Sequence, residues 1–227
     1  MESKEIAEKF LEFYNNQKSE KIIPFIEKLF DDETEILKTI ISVQIQIKEL
    51  GGGWPSVGKQ ITTMDEIFTY SDLAIKYALD KGNKLAAGIL NHNVASFCFP
   101  NMDDGIDEKF IEPGYQAAIN DLELRKEIGE KVPMLWSMWM VGIGEFLKGN
   151  IDDSIKTLEE TAKIALEKPK NESLAAWADM MKIKFQIKSD KVSKENSTEK
   201  IKQIEKVFTE QNDEYGLSTL KGIKELK

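Results

Sequence analysis

The segment from Pro133 to Glu167 constrains this chain more than any other. Pro133 suits the first turn of a helix, where a missing N–H removes no hydrogen bond. Leu135, Met138, Gly142 and Glu145 then fall along one side at helical spacing, and Trp136, Trp139, Ile143 and Phe146 along another. Nearly the whole circumference is apolar or small, so this helix must be covered on more than one side. Gly149 ends it, because glycine enters the left-handed region without steric cost. Asp152 or Asp153 opens a second helix, with Ile155, Leu158, Ala162, Ala165 and Leu166 on its inner face. Gly142 has no side chain to hold that second helix away. The expected unit is a helical hairpin with a small-residue contact.

The same plan recurs along the chain. Ile6, Phe10, Phe13 and Tyr14 give a first helix its inner face, to about Asn16. Pro24 starts a second, with Ile26, Leu29 and Phe30 inward. Glu33–Leu50 carries Ile36, Ile40, Val43, Ile47 and Leu50 as one stripe. The Gly-rich run 51–60 is the first break. Thr63 and Glu66 have capping-box spacing and open a helix to about Lys81, with Ile67, Tyr70, Ala74, Tyr77 and Ala78 inward. After Gly82 comes Leu85–Phe99, then an acidic linker, Pro100–Glu112, and a helix from Pro113 to Ile128. Beyond the central hairpin, Asn171–Lys188 carries Leu174, Trp177, Met181 and Phe185. Ser189–Ser197 reads as a polar turn. Ser197 or Thr198 caps a helix with Ile201, Ile204 and Phe208 inside, and Asp213–Leu226 closes the chain. No alternating strand pattern appears. The expectation is an all-α antiparallel helix-hairpin array of about ten helices: an N-terminal helical region over 1–50 packed on the array, and a repeat region over 62–227.

The run Leu135–Ile155 also resembles a tetratricopeptide repeat. Val141-Gly142, Gly149-Asn150 and Ser154-Ile155 match that family's pairs, while Glu145 stands where the family prefers an aromatic. Leu122–Glu130 is similar to the longer-period version found in regulatory arrays. The likeness covers roughly Gly114–Asp190, is loose over Thr62–Phe99 and is absent before Gly51. It implies an α-solenoid whose first helices line a concave groove for a peptide or extended protein segment.

Charge narrows the partners. The formal net charge is -9 and the pI about 4.9, against the basic face that nucleic acid requires. Basic or neutral partners suit such a surface. One cysteine admits no intrachain disulfide and fits a reducing compartment. Met1–Gln17 lacks the apolar core of a signal peptide, and the longest apolar stretch, Val132–Leu147, is too short to span a bilayer. The expected location is cytoplasmic, with no membrane partner and self-association left open.

Site candidates follow from these placements. Gly53–Lys59 has most of the phosphate-loop spacing, but Gln60 replaces the Mg²⁺-binding Ser/Thr and a helix precedes it rather than a strand. The linker fails as an EF-hand, because Pro100, Met102 and Ile111 occupy ligand positions. His92 is the lone histidine, without a carboxylate or thiol one turn away; Cys98 lies about 240° around the helix from it. No local dyad forms, and a long-range one is left open. No catalytic, cofactor or metal residues are assigned. The binding candidates are Trp136, Trp139, Ile143 and Phe146 as groove anchors, as tryptophan is enriched at binding hot spots, with core packing as the alternative. The repeat alignment adds His92 and Ser96. Leu135 and Met138 are expected on the stabilising side, Trp139, Ile143 and Phe146 on the partner-facing side. Glu145 either faces the partner or pairs with Lys148. The expected function is non-catalytic protein or peptide binding; the alternative is a domain that senses a small molecule or nucleotide.

Overall fold

The structure, a computed structural model, describes residues 1–53, 61–99, 102 and 106–226. Eleven α-helices and two short 3₁₀ turns make it up, and no strand occurs among the described residues. They are α1 (Ser3–Asn15), α2 (Ile22–Glu27), α3 (Glu33–Leu50), α4 (Met64–Asp80), α5 (Lys84–Cys98), α6 (Ile111–Ile128), α7 (Lys131–Leu147), α8 (Ile151–Ala165), α9 (Glu172–Lys188), α10 (Lys194–Glu210) and α11 (Glu214–Glu225). The chain divides into two compact units, Met1–Gly129 and Glu130–Lys227. Trp54, Lys59 and positions 100, 101 and 103–105 of the Pro100–Glu112 linker lie outside the described residues. No helix among the described residues is long and apolar enough to cross a membrane.

In the first unit the Gly-rich run is not a boundary. Fully buried Gln44 on α3 donates through Nε2 to Ser71 Oγ on α4 at 2.8 Å and to the Leu90 carbonyl on α5 at 3.1 Å. Its Oε1 accepts from Asn93 Nδ2 at 2.9 Å. Tyr70 donates its hydroxyl proton to the Ile40 carbonyl at 2.9 Å and meets the Phe10 ring edge-on. Helices α1 and α3 therefore share one core with α4–α6. Thr63 does not form the expected capping box; its hydroxyl donates to the Ile47 carbonyl at 2.9 Å, tying the start of α4 to the end of α3.

In the second unit Gly142 does what its position implied. A Cβ there would lie 2.8 Å from Leu158 Cγ, and Ser154 Oγ donates to the Gly142 carbonyl at 2.6 Å. That distance is available only because no side chain intervenes. Three residues placed on apolar faces are instead exposed: Leu29, 37%, Leu50, 38%, and Leu166, 46%. Leu50 is the last residue of α3 and the other two lie just past their helices, where helical spacing ceases to set direction. Helix α10 starts at Lys194 rather than after Ser197, because the Ser193 hydroxyl accepts from the Asn196 N–H as its cap.

Gly142→Leu should destabilise the chain by about 1–3 kcal/mol through overpacking against Leu158. Urea denaturation of Gly142→Leu and Gly142→Leu/Leu158→Ala checks this: the double variant should regain part of the loss. Equal stability of wild type and Gly142→Leu would contradict the close crossing.

Candidate functional site

Helices α5 and α6 pack closely because glycines face their partners. A Cβ on Gly114 would meet Cys98 Cβ at 2.5 Å, and one on Gly88 would meet Arg125 Nε and Asp121 Oδ1, each at 3.1 Å. The approach brings His92 Nδ1 to 3.0 Å from Asp121 Oδ2, while Arg125 Nε donates to Asp121 Oδ1 at 3.0 Å. Asp121 and Arg125 are buried and the imidazole is partly open to solvent. The carboxylate that His92 lacks on its own helix thus arrives from α6. Ser96, one turn beyond His92, is half-buried. Cys98 is buried, and burial pushes its thiol up to about 12, so it stays protonated and is not a nucleophile at neutral pH.

Beside this ion pair α4, α5 and α6 leave a cleft of about 340 Å³. Asp72, Ile75, Lys76, Leu79 and Asp80 supply one wall at helical spacing, and Asn91 and Asn120 the others. Asn91 directly precedes His92 in the chain, and Asn120 directly precedes Asp121. The His92–Asp121 contact therefore ties together the two helices that carry these carboxamides. Asn91 is 4% exposed. It donates through Nδ2 to the Ala87 carbonyl at 2.9 Å, which leaves Oδ1 without a hydrogen-bond partner among the described residues. Asn120 Oδ1 accepts from Gln116 Nε2 at 2.9 Å. Asp72 is exposed at the rim, yet neighbouring protein atoms desolvate its carboxyl and raise it from the usual range. Sequence reasoning missed this cleft. Its one signal was a run of polar residues, Asn91-His92-Asn93, inside an otherwise apolar helix.

The aromatic stripe of α7 is placed differently from the expectation. Ile143 is fully buried and Trp139 nearly so. Trp139 meets Trp136 and Trp177 edge-on, with centroids at 5.6 and 6.0 Å, and its Nε1 points at the Trp177 carbonyl at 3.4 Å. Trp177 in turn donates to Asp213 Oδ2 at 2.8 Å and stacks on Tyr215. Phe146 lies flat on Phe185, ring centroids 3.8 Å apart. Only Trp136 and Phe146 of the stripe keep partial exposure. Leu135 and Met138 are buried as well, so α7 is covered on both of its apolar sides. The partner-facing side assigned to Trp139 and Ile143 is thus taken up by the chain's own interior.

Glu145 leans on α8, near Thr157 and Asp153. Its Oε2 is buried without a hydrogen-bond partner among the described residues. Burial first, and Asp153 less, raise its carboxyl above the usual range, offset in part by a hydrogen bond from Thr157. A second groove, about 320 Å³, runs between α9 and α10. Its Asp179 already holds Lys200 at 2.8 Å and Lys182 at 3.3 Å. Among the described residues no three His, Cys, Asp or Glu side chains converge as a metal site. Compared with known proteins, the chain matches no family model and no curated protein.

Two outcomes follow. Asp121→Ala should cost about 3–5 kcal/mol in a urea melt, because it strands a buried guanidinium, whereas His92→Ala, at a part-exposed position, should cost about 1 kcal/mol or less. Equal losses would mean that the imidazole carries the pair. For Glu145 the raised carboxyl favours the protonated fold, so its stabilising effect is full in acid and is lost as pH rises through the raised value. Glu145→Gln should therefore be more stable than wild type at pH 7. The gap should close as pH falls through the ordinary carboxylate range, as thermal melts across pH will show.

Proposed function

We propose that this chain is a non-catalytic, cytoplasmic scaffold of tetratricopeptide-like hairpins that binds an extended peptide or protein segment. The observation that carries this reading is the α4–α5–α6 cleft, where exposed Leu79 and half-buried Ile75 stand opposite a buried carboxamide whose Oδ1 is free. Apolar surface beside a fixed hydrogen-bond acceptor suits a main chain with side chains at intervals. The wall residues Asp72, Lys76, Leu79 and Asp80 are exposed, so an occupant keeps one side in solvent. Small-molecule sites instead bury some 70–90% of their ligand, which favours a segment over a sensed metabolite. His92 acts in this reading as support for the cleft wall rather than as an anchor, Ser96 is not part of its lining, and Trp136 and Phe146 remain as partly open aromatics of the second unit.

A bead-displayed library of ten-residue peptides, followed by anisotropy titration of the selected sequences, tests it. Leu79→Ser should weaken binding about tenfold through lost apolar contact, with the circular dichroism spectrum unchanged. A selection that yields no binder, or binders indifferent to Leu79→Ser, would remove this cleft from the reading.

A further inference from the structure

The chemistry of the same cleft narrows the occupant further, on the footing of the segment-binding reading above. Its charged groups lean to one sign. Asn91 has spent one donor on Ala87 and keeps Oδ1 as an acceptor, while Asn120, whose Oδ1 accepts from Gln116, offers only its neutral amide donors. Asp72 and Asp80 are acceptors only, and neither has an ion-pair or hydrogen-bond partner among the described residues. Lys76 is the single cation of the lining among the described residues. It sits one turn from each carboxylate on the exposed face of α4, where it is free to swing into solvent.

The wider field has the same sign. Of the 40 acidic and 31 basic side chains, residues 1–129 hold 23 and 14, and residues 130–227 hold 17 and 17. The first unit thus carries the whole net charge of -9, while the second, with its α9–α10 groove, is balanced. An anionic segment entering the α4–α6 cleft would set carboxylate against carboxylate. A lysine or arginine would lay its methylene stem on Ile75 and Leu79 and carry its head to the acceptors.

We propose that the cleft takes a cationic segment whose lysine or arginine heads are held at the two ends of its acidic wall, one at Asp72 and one at Asp80, about 12 Å apart along α4, with Asn91 Oδ1 as a further acceptor. Long-range attraction to the first unit would speed the encounter and make it sensitive to salt.

The test uses the full chain and three fluorescein-labelled ten-residue peptides. They share one Leu/Ser/Ala frame and carry Lys, Gln or Glu at two positions. In anisotropy titrations at low salt the Lys peptide should bind about tenfold or more tighter than the Gln peptide, and the Glu peptide weakest. High salt should erase most of the difference. Asp72→Asn/Asp80→Asn should abolish the Lys preference. Glu8→Gln/Asp31→Asn, which removes the same charge from exposed positions outside the cleft, should keep the preference.

Equal loss in both double variants would overturn the site and reduce the effect to general attraction. Equal binding of the Lys and Gln peptides, or a Glu preference, would overturn the cationic partner while leaving segment binding in place. No binding by any of the three would count against both.

Discussion

Two helices cross most closely where one of them has no side chain in the way. Gly142 supplies that place for α7 and α8, and the Ser154 hydroxyl closes on its carbonyl at 2.6 Å. Gly88 and Gly114 supply it for α5 and α6. Helix interiors tolerate glycine at a cost of roughly 1 kcal/mol relative to alanine; here the close crossing gained is what sets each hairpin. In the first unit the consequence reaches the candidate site. The tight α5–α6 contact makes room for Asp121 between His92 and Arg125, and that carboxylate in turn fixes the helices bearing Asn91 and Asn120.

Buried polar groups give the first unit its register. Gln44 binds three partners from two other helices and is fully enclosed. Sliding α3 against α4 or α5 by one turn would leave the carboxamide unsatisfied, at about 1–3 kcal/mol per lost group. An apolar side chain there would pack but would not discriminate between registers so sharply. The second unit takes a different route, a sequence of aromatic contacts from Trp136 through Trp139 and Trp177 to Tyr215. Its indole N–H groups are aimed at acceptors, Trp177 at Asp213 and Trp139 at a carbonyl, which is how tryptophan is accommodated indoors.

These two solutions bear on where binding belongs. Aromatic residues anchor partners when their faces are open, and in the second unit most of those faces are turned to one another. The first unit has the reverse arrangement. Its core polar groups are largely matched internally, and the cleft they support leaves acceptors facing outward. In the proposed reading, binding capacity resides in unsatisfied groups held in place by satisfied ones, and the α4–α6 cleft has both.

Amphipathic spacing alone determined that this chain is all-helical, where most of its helices run and that Gly142 marks a close contact, because each of these depends on residues a few positions apart. Helix starts were legible where a capping side chain sat next to its helix, as with Asn171 and Asp213, and misread where tertiary demand diverted it, as with Thr63. Periodicity also showed that α7 is apolar on two sides, but not what covers them. Tertiary structure alone decided that Trp139 lies inside, that Gln44 joins α3 to α4 and α5, and that His92 has a carboxylate. That carboxylate is 29 residues away in the chain, and Asp213 is 36 from the Trp177 it receives. Spacing along one helix assigns a direction to each side chain. Which side chain answers it from another helix depends on how closely the two pack, and that is set by the whole assembled core.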